Sequence, residues 1–252
     1  MERINNDRRS GLSGTALRTW GFLFIVLGAA GMAVIQNGLL GLGNVNPTEL
    51  LEAMQQSSDV MGFVTVALVL QAIESCAVPI FAFLLVEGFQ HTSDFKMYLT
   101  RIGIVALISE LPYNLAMGGS LWVTDSRNPV FGMLICLIML YLYSHFKNVL
   151  LKVAITIAGV LWCEMLGIDY GSFTLLLVAT LWGMRNKPQY RLFVGCAVAG
   201  VCSIISPFYL ASPMSFLAIH GYNGEPGERN RVVNYLTYPV ILLVVGILGK
   251  VI

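Results

Sequence analysis

Charge is what this 252-residue sequence has least of: only 12% of its residues are Asp, Glu, Lys or Arg, against about 25% in a soluble domain. So few charges cannot cover a water-facing surface when 56% of the chain is hydrophobic and mean hydropathy is +0.74. An integral membrane protein is expected. No concentrated basic patch accompanies the net charge of +1, which argues against a nucleic-acid partner. No Cys-x-x-Cys pair occurs among Cys76, Cys136, Cys163, Cys196 and Cys202, and all five lie in apolar runs, so neither a disulfide framework nor a metal site is expected. Internal repeats and low-complexity segments are also lacking. The basic, polar first 15 residues precede an apolar run long enough to span a bilayer, so no cleavable signal is expected.

What is present is a succession of apolar runs. Charged residues cluster between stretches of roughly the 20 residues that a spanning helix needs, without the alternation of barrel strands. The predicted fold class is all-α: a polytopic transmembrane protein, one integral membrane domain over 1–252, with a polar N-terminus at 1–15. Spans are predicted near 16–40, 61–88, 98–118, 129–146, 149–166, 171–184, 192–206, 208–220 and 233–251. The segments 171–184, 192–206 and 208–220 fall short of the usual span of about 17–25 residues. With nine crossings, all of the 15 basic residues except Arg127 and Lys250 collect on one side, which puts the N-terminus in the cytoplasm and 88–97 and 221–231 beside it. Merging 192–220 into one tilted helix weakens that asymmetry only slightly, and Pro207 and Pro213 favour a break there. The loop 44–59 predicts a short interfacial helix after Pro47.

Two polar constellations stand out. The stretch 79–114 holds two apolar runs around a compact turn where Glu87, His91, Thr92, Lys96 and Arg101 crowd together. A histidine such as His91 suits proton transfer, and Lys96 and Arg101 suit phosphate; a plain cytoplasmic loop is the alternative. Ser109, Glu110, Pro112 and Asn114 close the second run, with Asn128, Glu164, Asp169 and Tyr170 on the same predicted side. Glu110 sits inside an otherwise apolar segment, where an acid costs a few kcal/mol unless it is paired or faces a polar cavity. The glycine-rich loop 220–229 ends in arginine and reads either as a phosphate cradle or as a turn between helices.

The run AVPIFAFLLVEGFQHTSDFKMYLTRIGIVALISELPYN resembles the signature of the TraX family, bacterial multi-spanning membrane proteins named for a protein associated with N-terminal acetylation of conjugative F-pilin. Pro79, Phe81, Phe83, Glu87, Gly88, Phe89, His91, Thr92, Tyr98, Arg101, Ser109, Glu110 and Pro112 carry the likeness. Weaker matches continue through Asn128, Asp169-Tyr170-Gly171, Tyr222-Asn223-Gly224 and Tyr238-Pro239. The family in turn resembles membrane acyltransferases that draw acetyl groups from cytoplasmic acetyl-CoA for acceptors in or across the membrane.

The resemblance implies acetyl-CoA as acyl donor, a bacterial inner-membrane location, the lipid bilayer as partner, and an exported or membrane acceptor that is a peptide, glycan or lipid. It also marks departures. Val78 replaces a leading phenylalanine and Ser75 an arginine, while the first-span Asp-His pair falls on Ile35-Gln36 or Gln36-Asn37. Ser126-Arg127-Asn128 stands for His-Gln-Asn, and Ile241 for a last-span histidine. With those histidines gone, His91, Glu87 and Glu110 are the proton-transfer candidates. Thr92, Lys96, Arg101, Tyr222, Asn223, Gly224, Arg229 and Arg231 are those for the donor. Gln36, Asn37, Ser109, Asn114, Asn128, Asp169 and Tyr238 are those for the acceptor. A family member without catalysis, which binds a ligand or partner in the membrane, is the alternative.

Overall fold

A computed structural model describes residues 11–42, 52, 55, 57–122, 126–227 and 231–252, with the side chains of 231 and 232 excepted. Among these residues the fold is helical, with two isolated bridges as its only β pairing. α1 (Gly14–Ala30) continues as a π-helical stretch, Gly31–Leu39. α2 (Ser58–Glu74) and α3 (Ala77–His91) follow, then α4 (Phe95–Gly118), α5 (Pro129–His145), α6 (Val149–Met165), α7 (Gly171–Gly183) and α8 (Pro188–Ile205). A 3-10 segment (Pro207–Met214), α9 (Ser215–His220) and α10 (Arg231–Val251) complete the chain. The expected interfacial helix after Pro47 lies largely outside the described residues.

Short polar residues between apolar runs start these helices. Ser13, Asp94, Asn128 and Asn148 each accept a backbone N–H of the helix they precede, satisfying a donor that has no partner within the helix. α2 and α3 form one apolar rod of 34 residues, interrupted at Ser75–Cys76. Pro79 is the cause: it offers no N–H, and its ring crowds the carbonyl four residues back, that of Ser75. The Ser75 carbonyl instead accepts the Val78 N–H (3.2 Å), and the N–H groups of Ser75 and Cys76 likewise donate three residues back, to Ala72 (3.2 Å) and Ile73 (3.0 Å). The expected single span at 61–88 is therefore two helices with Glu74 at their joint.

Among the described residues, four stretches are long and apolar enough to cross a membrane: Gly14–Leu39, Ser58–His91, Pro188–Ile205 and Val233–Val251. That is fewer than the nine expected. α7 has only 13 residues, about 20 Å, and is apolar on every side because protein surrounds it: Phe173, Leu175, Leu177, Val178, Leu181 and Trp182 are all buried. The expected span at 208–220 is no continuous helix, since Pro207 and Pro213 hold its first half in 3-10 form and leave α9 six residues. Outward faces carry Ile204 (84% exposed) and Phe193 (74%), a surface suited to lipid rather than water. The core gathers Leu17, Ile80, Val86, Leu137, Leu140 and Leu175.

Contacts fix two ends. At one, Leu12 and Asn223 bridge the start of α1 to the loop before α10 (Leu12 N–H to the Gly221 carbonyl 2.7 Å, Asn223 N–H to the Leu12 carbonyl 3.0 Å), and Arg191 on α8 reaches Glu87 on α3 (2.8 Å). At the other, the Arg127 N–H donates to Gly167 (2.8 Å) and the Asp169 N–H to Arg127 (3.0 Å). Asn37 there donates to the carbonyls of Ala116 (3.1 Å) and Met117 (3.3 Å), closing the open end of α4.

Candidate active site

A cavity of about 390 Å³ runs between α1, α3, α4 and α10 from the first of these ends. Arg18, His91, Thr92 and Arg101 lie toward its rim, Phe22, Phe81, Leu84 and Met133 line its bore, and Glu74, Tyr170 and Tyr238 mark its depth. Lining residues recur along the α2–α3 rod from His91 to Glu74, a run of about 25 Å at 1.5 Å per residue. The rim is basic and unneutralised. Among the described residues only two ion pairs form, Glu110–Arg127 and Glu87–Arg191, so Arg18 and Arg101 have no acid. Nη1 of Arg18 is buried without a hydrogen-bond partner, an arrangement that leaves a donor for an incoming anion.

Two residues of the central run gain a reason here. Gly88 gives room to Tyr98: a Cβ at 88 would stand 2.7 Å from the Tyr98 hydroxyl oxygen, and both residues line the cavity. His91 is oriented by its own helix, its Nδ1 lying 2.8 Å from the Glu87 carbonyl. A carbonyl only accepts, so Nδ1 is the donor in this bond and Nε2 is the ring nitrogen that it leaves unused.

Glu74 is the polar residue that the sequence reading missed. It is 7% exposed, faces the cavity and has no hydrogen bond or ion pair among the described residues. A Cβ at position 28 would come within 2.0 Å of its Oε2, so Gly28 is what lets the carboxyl fit. The criterion that singled out Glu110, an acid inside an apolar run, applies to Glu74 equally. Tyr170 beside it has φ 56°, a left-handed conformation uncommon for a residue with a side chain. Arg18, Tyr98 and Tyr235 also line the cavity and carried no local signal beyond their type.

The expected site residues divide. His91, Thr92, Arg101 and Tyr238 line the cavity. Lys96 is exposed on α4 outside the lining. Glu87 is held by Arg191, whose guanidinium also sits 4.8 Å over the Phe83 ring. Tyr222 packs edge-on against Phe83 (5.3 Å between ring centres); burial, and after it Glu87, push its hydroxyl above the usual tyrosine range, against Arg18 and Arg191. Asn223 Oδ1 accepts the Glu225 N–H (2.9 Å), and Gly224 takes φ 82°, so this loop is shaped as a turn fastened to Leu12. Arg229 lies outside the described residues, as does the side chain of Arg231.

The second constellation forms at the opposite end. Glu110 accepts from Arg127 Nη1 (3.2 Å) and from the Asn128 N–H (3.3 Å), with exposures of 14% for Glu110 and 47% for Arg127. Asn128 donates to the Ala106 carbonyl (2.8 Å) and caps α5 at Val130 (2.8 Å). Asp169 accepts the hydroxyls of Tyr113 and Ser126. Burial raises its carboxyl above the ordinary range, those two hydrogen bonds oppose this, and Glu110 adds to the rise. Ser109 donates to Val105 (2.6 Å) and Asn114 to Leu121 (3.3 Å). Gln36 is buried in the π-helical stretch, and neither it nor Asn37 lines the cavity. Of the seven expected acceptor residues, Tyr238 alone lines it.

The family described as TraX protein matches residues 51–249. No curated protein and no solved structure matches the chain.

Proposed function

The chain belongs to the TraX family, and from that membership we propose that it is a bacterial inner-membrane acyltransferase that takes an acyl group from cytoplasmic acetyl-CoA and passes it to a membrane or exported acceptor. The observation that carries this reading is one cavity with two arginines, Arg18 and Arg101, that pair with no acid among the described residues, at its rim, and an apolar bore behind them. A thioester donor has that division of character: phosphates at one end, a slender arm carrying the acyl group at the other. At about 390 Å³ the cavity is at the small end of the roughly 300–1,000 Å³ of ligand pockets. It suits the arm, with the nucleotide left at the rim against Thr92 and Arg101.

The rim is assigned to the cytoplasm because the predicted basic asymmetry collects there. In this reading all nine segments run from face to face, with α7 shielded by its neighbours. Transfer needs an acceptor O–H or N–H to attack the thioester carbon, a base to take the proton, and the thiolate to leave. Of the residues expected to move a proton, Glu87 and Glu110 are held by arginines and His91 presents its free Nε2 at the rim. Acceptors of three classes fit the family: a peptide, a glycan or a lipid. The absence of the family's histidines at Gln36 or Asn37 and at Ile241 favours, as a second reading, a member that binds the donor without turning it over.

Calorimetry of the purified protein with acetyl-CoA, followed by mass analysis of the products, separates these. Binding that weakens tenfold or more in Arg101→Ala, with acyl product formed by the parent, supports the enzyme. Binding without product supports the second reading. No binding at millimolar acetyl-CoA removes both.

A further inference from the structure

We propose that Glu74 is a catalytic residue, the carboxylate that takes the acceptor's proton in the depth of the cavity, in a chain that lacks the family's histidines. This inference rests on the acyl-transfer reading and adds to it the residue that meets the acceptor.

Four independent observations converge on Glu74. Its side chain is more than nine-tenths buried and reaches the cavity. It has no hydrogen bond or ion pair among the described residues, whereas the other acids expected to matter are closed, Glu110 by Arg127 and Asn128, Glu87 by Arg191, Asp169 by Tyr113 and Ser126. Placing a carboxyl in an apolar stretch costs a few kcal/mol unless it is paired or faces a polar cavity, and Glu74 faces the cavity. The backbone is also shaped around it. Gly28 leaves the space that its carboxyl fills, and the Pro79-induced joint of the α2–α3 rod falls immediately after it. Lastly Tyr170, held at φ 56°, and Tyr238 share the same depth of the cavity, supplying hydroxyls where a developing oxyanion needs donors.

The step balances within the proposed reaction. The acceptor's O–H or N–H oxygen or nitrogen attacks the thioester carbonyl carbon while its proton moves to the Glu74 carboxylate. The tetrahedral oxyanion collapses, the carbon–sulfur bond breaks, and the proton on Glu74 passes to the departing thiolate. Acyl acceptor and free thiol form, and Glu74 is returned unprotonated. His91, at the rim some 17 residues along the rod, is then free to serve the donor's phosphates rather than the reaction.

The test uses the full-length protein in detergent or proteoliposomes. Glu74→Gln keeps the shape and removes the base. Expected is a fall in turnover of at least 10²-fold, the lower range for a positioned base, with acetyl-CoA affinity by calorimetry within about threefold of the parent. Glu74→Asp should recover part of the rate, and the ionisation that governs the parent's pH–rate profile should be missing in Glu74→Gln. Gly28→Ala provides a second approach that keeps the carboxyl group but displaces it, and should lower turnover with donor binding kept. Unchanged turnover in folded Glu74→Gln overturns the proposal. So does loss of donor binding together with turnover, which would make Glu74 part of the donor site. A parent that binds no acetyl-CoA instead removes the acyl-transfer reading, and this inference with it.

Discussion

Glu74 and Glu110 are both acids inside apolar helical segments, yet the molecule treats them in opposite ways. Glu110 sits within α4, more than two turns before its end, receives Arg127 and the Asn128 N–H, and helps lock the start of α5 to its neighbours. Glu74 sits at the joint of a rod, receives nothing, and looks into a cavity. Position in an apolar run thus does not distinguish an acid that holds the fold from one left available for chemistry; the partner set does.

That contrast breaks most visibly at a third acid. Glu87→Leu leaves the partly buried Arg191 guanidinium without its carboxylate, and breaking a buried pair from one side costs about 3–5 kcal/mol. Thermal unfolding in detergent should register the loss, and Glu87→Leu with Arg191→Leu should recover most of it; a single mutant as stable as the parent would put Glu87 among the available acids. Glu74→Met should act with the opposite sign and raise stability, by about 1–3 kcal/mol, because it removes a polar group that is 7% exposed and has no hydrogen bond or ion pair among the described residues. Destabilisation there would mean that Glu74 has a partner in solution. Glu110→Met should cost only about 1 kcal/mol, since Arg127 is half exposed and water takes over its solvation.

Asp169 gives a pH test of smaller size. Its carboxyl is raised in the folded state, so the folded protein holds that proton more tightly than the unfolded chain does. The associated stability is present below the ordinary carboxylate range and is lost as pH rises through the raised value. The fall in melting temperature over that interval should be shallower in Asp169→Asn; equal slopes would assign it to other groups. Smallest is Gln36→His. Because Gln36 does not line the cavity, turnover should stay at the parent's level, and a clear rise would show that the first helix meets the substrate after all.

Helix positions were largely legible in the sequence, because the apolar runs and their Ser, Asp and Asn caps are local signals. The run from Pro79 to Arg101 stood out in the sequence by its crowded polar residues, and three of these, His91, Thr92 and Arg101, line the cavity. What stayed hidden is relational. Arg18 counts as one more basic residue until α1 is set beside α3, and Glu74 has a meaning only once Gly28 lies against it. The loop at Tyr222-Asn223-Gly224 has the composition of a phosphate cradle, yet its backbone is committed to Leu12. Pro79 could be seen in the sequence, but the joint it creates at Ser75 depends on the helix continuing on both sides.

The cavity's wall is assembled from the two extremes of the chain: Arg18 and Phe22 from α1, Tyr235 and Tyr238 from α10. Synthesis proceeds from one end, and domains take shape as the chain emerges. During synthesis, therefore, α1 is made long before Tyr235 and Tyr238 of α10, which stand with Arg18 in the cavity wall. A chain that stops before α10 lacks the part of the cavity wall that Tyr235 and Tyr238 supply.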